Sequence, residues 1–172
     1  MPNVLAVDLG RQCGFALAGS EYLRGWRPRV ALEGPRASNA GLHYGPWKLG
    51  IEGGLVEYWY AELWRRLTET HALSPLNLLA YESGGTMNFK SKKALMSVVG
   101  LGVVCMTWAR VHEVECQLIE NNALKKHAAG HGWSEKDAID RAARRLGWEP
   151  QDNNVADALF VLDLALTRCH RS

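Results

Sequence analysis

The chain has little of what usually assigns a protein quickly. Its four cysteines, Cys13, Cys105, Cys116 and Cys169, stand singly. None forms a Cys-x-x-Cys pair, which argues against a thiolate zinc site and for free thiols in a reducing compartment. The opening residues lack the basic-then-apolar pattern of a secretory signal. The longest apolar run, 94–109, spans 16 residues and contains Ser97 and Thr107. That is short of the roughly 20 residues that cross a bilayer. A soluble, cytoplasmic protein without membrane association is the expectation. Acidic residues are missing between Met87 and His112, where the only charges are Lys90, Lys92, Lys93 and Arg110.

A length of 172 residues, 47% of them hydrophobic, fits one domain over 1–172 with a substantial core. The net charge of +2 decides nothing, but its distribution is informative. Basic residues gather at Lys90, Lys92 and Lys93, at Arg24, Arg27 and Arg29, and at Lys125, Lys126 and His127. Any one cluster reads equally well as solvated surface. All three, interleaved with the acidic positions described next, favour a polyanionic partner.

Asp8 follows the run Val4-Leu5-Ala6-Val7, Glu82 follows Leu78-Leu79-Ala80-Tyr81, and Asp157 opens the stretch Ala158-Leu159-Phe160-Val161-Leu162. Carboxylates set in apolar segments are costly to desolvate and need compensation. Each alone reads as a turn or cap residue. Three of them converging would be satisfied by a bound divalent cation, because hard cations take oxygen ligands.

Strands are expected at 4–8, 14–19, 29–33, 76–82 and 113–119, from short apolar runs bounded by turn residues. A helix is expected from about Leu42 to Thr70, where Trp47, Ile51, Leu55, Trp59, Leu63 and Leu67 recur every four residues. Gly45, Gly50, Gly53 and Gly54 weaken its first half and move the firm start toward Gly54. Further helices are expected at 92–111, 121–129, 134–146 and 155–167. The result is an α/β fold: a five-stranded mixed sheet, three antiparallel strands and then parallel crossovers, flanked by helices. The helix 92–111 is apolar nearly all round, so one face should pack on the sheet. The rest should meet a second subunit, eased by Gly100 and Gly102, or lie under the preceding helix.

Four strings in order, LAVDLGRQCGFAL, LLAYESGG, NNALKKHAAGHGWSEKDAIDRAARRLGW and DNNVADALFVLDLAL, cover nearly the whole chain. Together they resemble RuvC-type Holliday junction resolvases of the RNase H-like superfamily, especially the short forms of phages and prophages. The resemblance implies a homodimer that binds a four-way DNA junction and nicks two strands symmetrically, leaving 5′-phosphate and 3′-hydroxyl ends. It implies Asp8, Glu82 and Asp157 as metal-binding positions, with Lys125 and Lys136 near the scissile phosphate. Where family members often carry an acid or His before the last Asp, this chain has Asn154. An amide oxygen there ligates without charge, and Asp152 lies close enough in sequence to compensate. On that reading Asn154→Asp tightens metal binding.

The implied cofactor is Mg²⁺ or Mn²⁺, two ions per site, clamping the phosphate about 4 Å apart. Lys90, Lys92 and Lys93 would hold the DNA backbone, with Lys126, His127 and His131 as second choices. His131 also reads as a plain turn residue. Met87 and Phe89 read as a wedge or a staple for the loop. Rival readings are a nuclease for other branched or hybrid substrates, and a branched-DNA binding module with weak catalysis. An actin-like kinase would need two such domains and a second glycine-rich phosphate loop, for which this chain is too short.

Overall fold

A computed structural model describes residues 3–27, 39–50, 54–83, 92–130 and 136–171. The strands are β1 (Asn3–Asp8), β2 (Gln12–Ala18), β3 (Leu42–Lys48), β4 (Leu76–Ser83) and β5 (Glu115–Glu120). The helices are α1 (Ser20–Gly25), α2 (Val56–Leu73), α3 (Lys92–Val111), α4 (Asn121–Ala129), α5 (Lys136–Arg145) and α6 (Asn153–Arg171). The strands form one five-stranded sheet in the order β3-β2-β1-β4-β5. β1, β2 and β3 pair antiparallel, while β4 lies parallel to β1 and β5 parallel to β4. This is the mixed five-stranded α/β architecture that the element order implied.

Strand alternation sorts the core into two layers. Val4, Ala6, Ala16, Ala18, Leu78, Ala80 and Ile119 face α4, α5 and α6. Leu5, Val7, Cys13, Trp47, Leu79 and Tyr81 face α2 and α3. The first face is lined mainly by alanine, which lets α6 lie close against β1 and β2. At Gly14 the approach is so close that a Cβ would collide with the Asn154 backbone carbonyl.

Two local expectations change. The strand expected at 29–33 lies outside the described residues, as do Met87, Phe89, Lys90 and His131. Among the described residues the third strand is Leu42–Lys48, inside the segment whose periodicity suggested a helix. Gly45 and Pro46 disfavour a central strand, but β3 is at the sheet edge, where a missing N–H is tolerated. Phe15 supports it by covering Gly45 and stacking on Trp47 at 4.7 Å. Helix α2 starts at Val56, near the expected firm start.

The stretch Ala94–Val111 is helical throughout, and at 18 residues with mean hydropathy 1.7 it is long and apolar enough to cross a membrane. The shorter run counted in the sequence understated it. Here Leu101, Cys105, Trp108 and Ala109 are buried in the layer that α3 shares with the sheet and α2. Gly100 accommodates Tyr60 of this chain's own α2, whose hydroxyl donates to the Met96 carbonyl at 2.8 Å. Gly102 lies against the Tyr81 ring. Both glycines thus accommodate rings of this chain, Gly100 in the way expected of the alternative in which the helix lies under α2.

Candidate active site

The parallel pairing places the C-terminal ends of β1, β4 and β5 along one sheet edge. Val7 is in register with Tyr81, so Asp8 and Glu82 are neighbours at the next step. Positions 4, 6 and 8 on β1 and 78, 80 and 82 on β4 share a face by alternation. Both carboxylates therefore point toward α6, which carries Asp157. Ligand oxygens of Asp8, Glu82 and Asp157 lie within 4.8 Å of one another. Glu82 is buried, at 6% exposure, while Asp8 and Asp157 are half-buried. The donor set holds oxygen only, without imidazole or thiolate, and such a set suits a hard divalent cation.

Each carboxylate is held by structure around it. Asn121, the first residue of α4, donates from Nδ2 to Glu82 Oε1. Asp8 is followed by a tight turn in which Cys13 Sγ donates to the Gly10 carbonyl at 3.1 Å. Burial pushes the Cys13 thiol up to about 12; the Gly10 hydrogen bond opposes this and the Asp8 charge adds to it. The thiol therefore stays protonated and serves as a donor. Helix α6 is fixed at its start by Asp152, whose Oδ1 accepts from Val155 N at 2.9 Å, an N-cap bond. Asp152 Oδ2 accepts from Gln12 Nε2 at 3.0 Å. Asn154 Nδ2 donates to the Gln12 carbonyl at 3.0 Å. Asp152 and Asn154 thus tie α6 to the start of β2 and set where Asp157 points.

The basic residues are distributed unevenly around this centre. Lys125 is half-buried on α4, four residues after Asn121 and so on the same helix face, while Lys126 is exposed. His127 turns inward: its Nε2 lies 2.9 Å from Oδ2 of the buried Asp163, whose Oδ1 accepts from Trp26 Nε1 at 3.0 Å. A buried carboxylate needs partners, and His127 supplies one. Arg24 and Arg27 do not join the carboxylate edge. They follow β2, whose end Ala18 pairs with Val4 at the far end of β1. Helix α3 leads at its C-terminus into the start of β5, so its first residues, Lys92 and Lys93, stand at the carboxylate edge. Lys136 opens α5. The side chains of Lys92, Lys93 and Lys136 lie outside the described set.

Sequence reasoning did not single out Asn121 or Gln12 as supports. The position of Asn121, directly after a strand whose neighbour ends in Glu82, was the available clue.

Fold and site together define an RNase H-like domain with an acidic cluster at the C-terminal edge of its central strands. No family model matches the chain, and no curated protein does. Solved structures do match. Thermus thermophilus RuvC aligns with a TM-score of 0.67 and 19% identity over 98% of this chain and 96% of its own. T. thermophilus RuvC in complex with a Holliday junction substrate aligns with a TM-score of 0.74 and 18% identity over 99% and 97%. The yeast mitochondrial Holliday junction resolvase aligns with a TM-score of 0.59 and 10% identity over 98% and 81%. The chain has the RuvC-type fold along almost its entire length.

Proposed function

We propose that this protein is a metal-dependent, structure-selective endonuclease that resolves four-way DNA junctions by paired nicks, leaving 5′-phosphate and 3′-hydroxyl ends. The observation carrying this reading is the meeting of Asp8, Glu82 and Asp157 within 4.8 Å, on a fold shared with a protein solved on a Holliday junction.

In this reading Asp8, Glu82 and Asp157 hold Mg²⁺ or Mn²⁺, two ions per site. When bound, such ions supply Lewis-acid polarisation of the phosphate and acidify a water. Asp8 stands on the central strand of the sheet, within 4.8 Å of both other carboxylates. Asn121 keeps Glu82 oriented, and Lys125 offsets phosphate charge as it builds in the transition state. Lys136 and His131 join the phosphate side. Lys90, Lys92, Lys93 and Lys126 position the DNA backbone without reading sequence, so affinity should fall steeply with salt. His127 belongs to the Asp163 network, and Asn154 to the clamp on β2.

A junction with two-fold symmetry calls for two active sites related by a two-fold axis. Leu95, Met96, Val99, Val103 and Met106 on α3 are 42–55% exposed. From Met96 to Met106 their spacing alternates between three and four residues, as in a two-helix seam. This supports a homodimer through α3.

The test is nicking of a synthetic immobile four-way junction with Mg²⁺ or Mn²⁺. The unmodified protein should cut two strands of like polarity. Asp8→Asn should lose about a thousandfold in rate while still binding the junction. Absence of cleavage by the unmodified protein with either ion would reduce it to a binding module. A monomer in gel filtration at micromolar concentration would count against paired nicking.

A further inference from the structure

The helix that presents Asn121 to Glu82 is weakly held by itself. α4 has nine residues, and its N-cap Glu120 makes no side-chain capping bond. An isolated helix of that length is unstable in water. Its Leu124 and Ala128 join the buried cluster that contains Leu159, Phe160 and Leu162 of α6. Apolar burial is non-directional, so it resists separation of two helices better than a slide of one along the other. α6 itself is pinned, because Asp152 and Asn154 tie its start to Gln12 on β2.

A directional contact joins α4 to α6. His127 Nε2 lies 2.9 Å from Asp163 Oδ2, and an ionised carboxylate only accepts, so the ring nitrogen donates. The Asp163 side chain has no exposure and that of His127 has 16%. The other carboxylate oxygen accepts from Trp26 Nε1 at 3.0 Å, and Thr167 Oγ1 donates to the Asp163 carbonyl at 2.8 Å. Asp163 is thus a fixed target for His127.

A buried charge is a costly route to stability, and apolar side chains of similar volume often serve as well. What such a pair supplies is register. Asn121 to His127 and Asp157 to Asp163 are both steps of six residues, about 9 Å of helix. Asn121 meets Glu82, whose ligand oxygen lies within 4.8 Å of that of Asp157. α4 and α6 therefore run side by side in the same direction, with two levels of contact at equal spacing.

We propose that His127 and Asp163 are positioning residues: their bond sets how far along α6 the helix α4 sits, and so keeps Asn121 on Glu82 at the metal centre. His127 acts through Asn121, and not as one of the cations that meet DNA. This brace rests on the metal-centre reading for its consequence, but not for its first measurement. In metal-free protein with EDTA, the Asn121 side-chain amide is followed by heteronuclear NMR, its signal identified by its loss in Asn121→Ala. His127→Leu should move that signal toward the position of a solvated amide. His127→Gln, which offers Asp163 an amide donor, should restore it. Calorimetric titration with Mn²⁺ then reads the consequence. His127→Leu should bind about tenfold more weakly, and His127→Gln nearly as the parent does. In the Asn121→Ala background His127→Leu should cost nothing further, because both act through one contact. Trp108→Ala, destabilised on the other face of the sheet, should change neither readout. An Asn121 signal unmoved by His127→Leu, or losses for Asn121→Ala and His127→Leu that multiply, would overturn the brace. Were His127→Leu too unstable to study, His127→Asn, whose shorter side chain draws the amide away from Asp163, takes its place with the same expectations. A parent that binds no Mn²⁺ while the Asn121 signal still follows His127 would overturn the metal reading and leave the brace standing.

Discussion

The two faces of the sheet solve different problems. The face toward α2 and α3 is filled with large side chains, Leu5, Val7, Trp47, Leu79, Tyr81, Leu101 and Trp108, and its buried contacts are almost wholly apolar. The face toward α6 is lined by Gly14, Ala6, Ala16, Ala18 and Ala80, and it carries Asp8, Glu82 and the buried Asp163. Bulk on one side gives stability through burial. Small residues on the other bring a helix backbone against the strands, so that Asp157 reaches carboxylates that the strands alone would leave apart. The face that carries the carboxylate cluster is the thinner and more polar one, and polar ties rather than volume hold it in place.

Substitutions on each face should separate these roles. Trp108→Ala removes a fully buried ring and its hydrogen bond to Thr68 Oγ1. It should cost about 3–5 kcal/mol in denaturant unfolding yet leave metal affinity unchanged in the protein that remains folded. Gly14→Ala adds one carbon where the Asn154 carbonyl already lies. It should cost about 3 kcal/mol and also abolish tight metal binding in calorimetric titration, because α6 must move. Equal metal affinity in Gly14→Ala and the parent would refute the role given to that close approach.

Smaller effects should follow from the polar ties. Asn121→Ala removes the partner of Glu82 Oε1, and metal affinity should fall about 10–100-fold with little change in melting temperature. Asn154→Asp sets a carboxylate against the Gln12 carbonyl in place of a donor. It should lose about 1 kcal/mol of stability, and metal titration should show no gain, contrary to the tightening expected from sequence. Asp152→Ala removes the N-cap of α6 and the bond from Gln12. A loss of about 1 kcal/mol is expected, with nicking only slightly slowed.

Much of this was legible in the sequence. The limits of α3 and α4 agree with the expected 92–111 and 121–129, because apolar periodicity and flanking residues mark such helices strongly. Positions 8 and 82 follow apolar runs of matching parity, which implies a shared face once the strands pair. Other features were hidden. Strand β3 contains Gly45 and Pro46, and only its edge position makes that acceptable. Helix α1 is six residues long and too short for periodicity to mark. His127 looked like one more cation in a basic cluster, until Asp163, 36 residues away, supplied the reason for its inward turn.

The sequence by itself singled out Asp8, Glu82 and Asp157, because each stands at the edge of an apolar run and such runs are local properties of the chain. Only the tertiary structure decided the supports. Asn121 on Glu82, Gln12 on Asp152 and Asn154 on β2 all join residues distant in sequence. Such a hydrogen bond exists only after the sheet has set its register and α6 has docked. No local pattern of residue types encodes such a meeting.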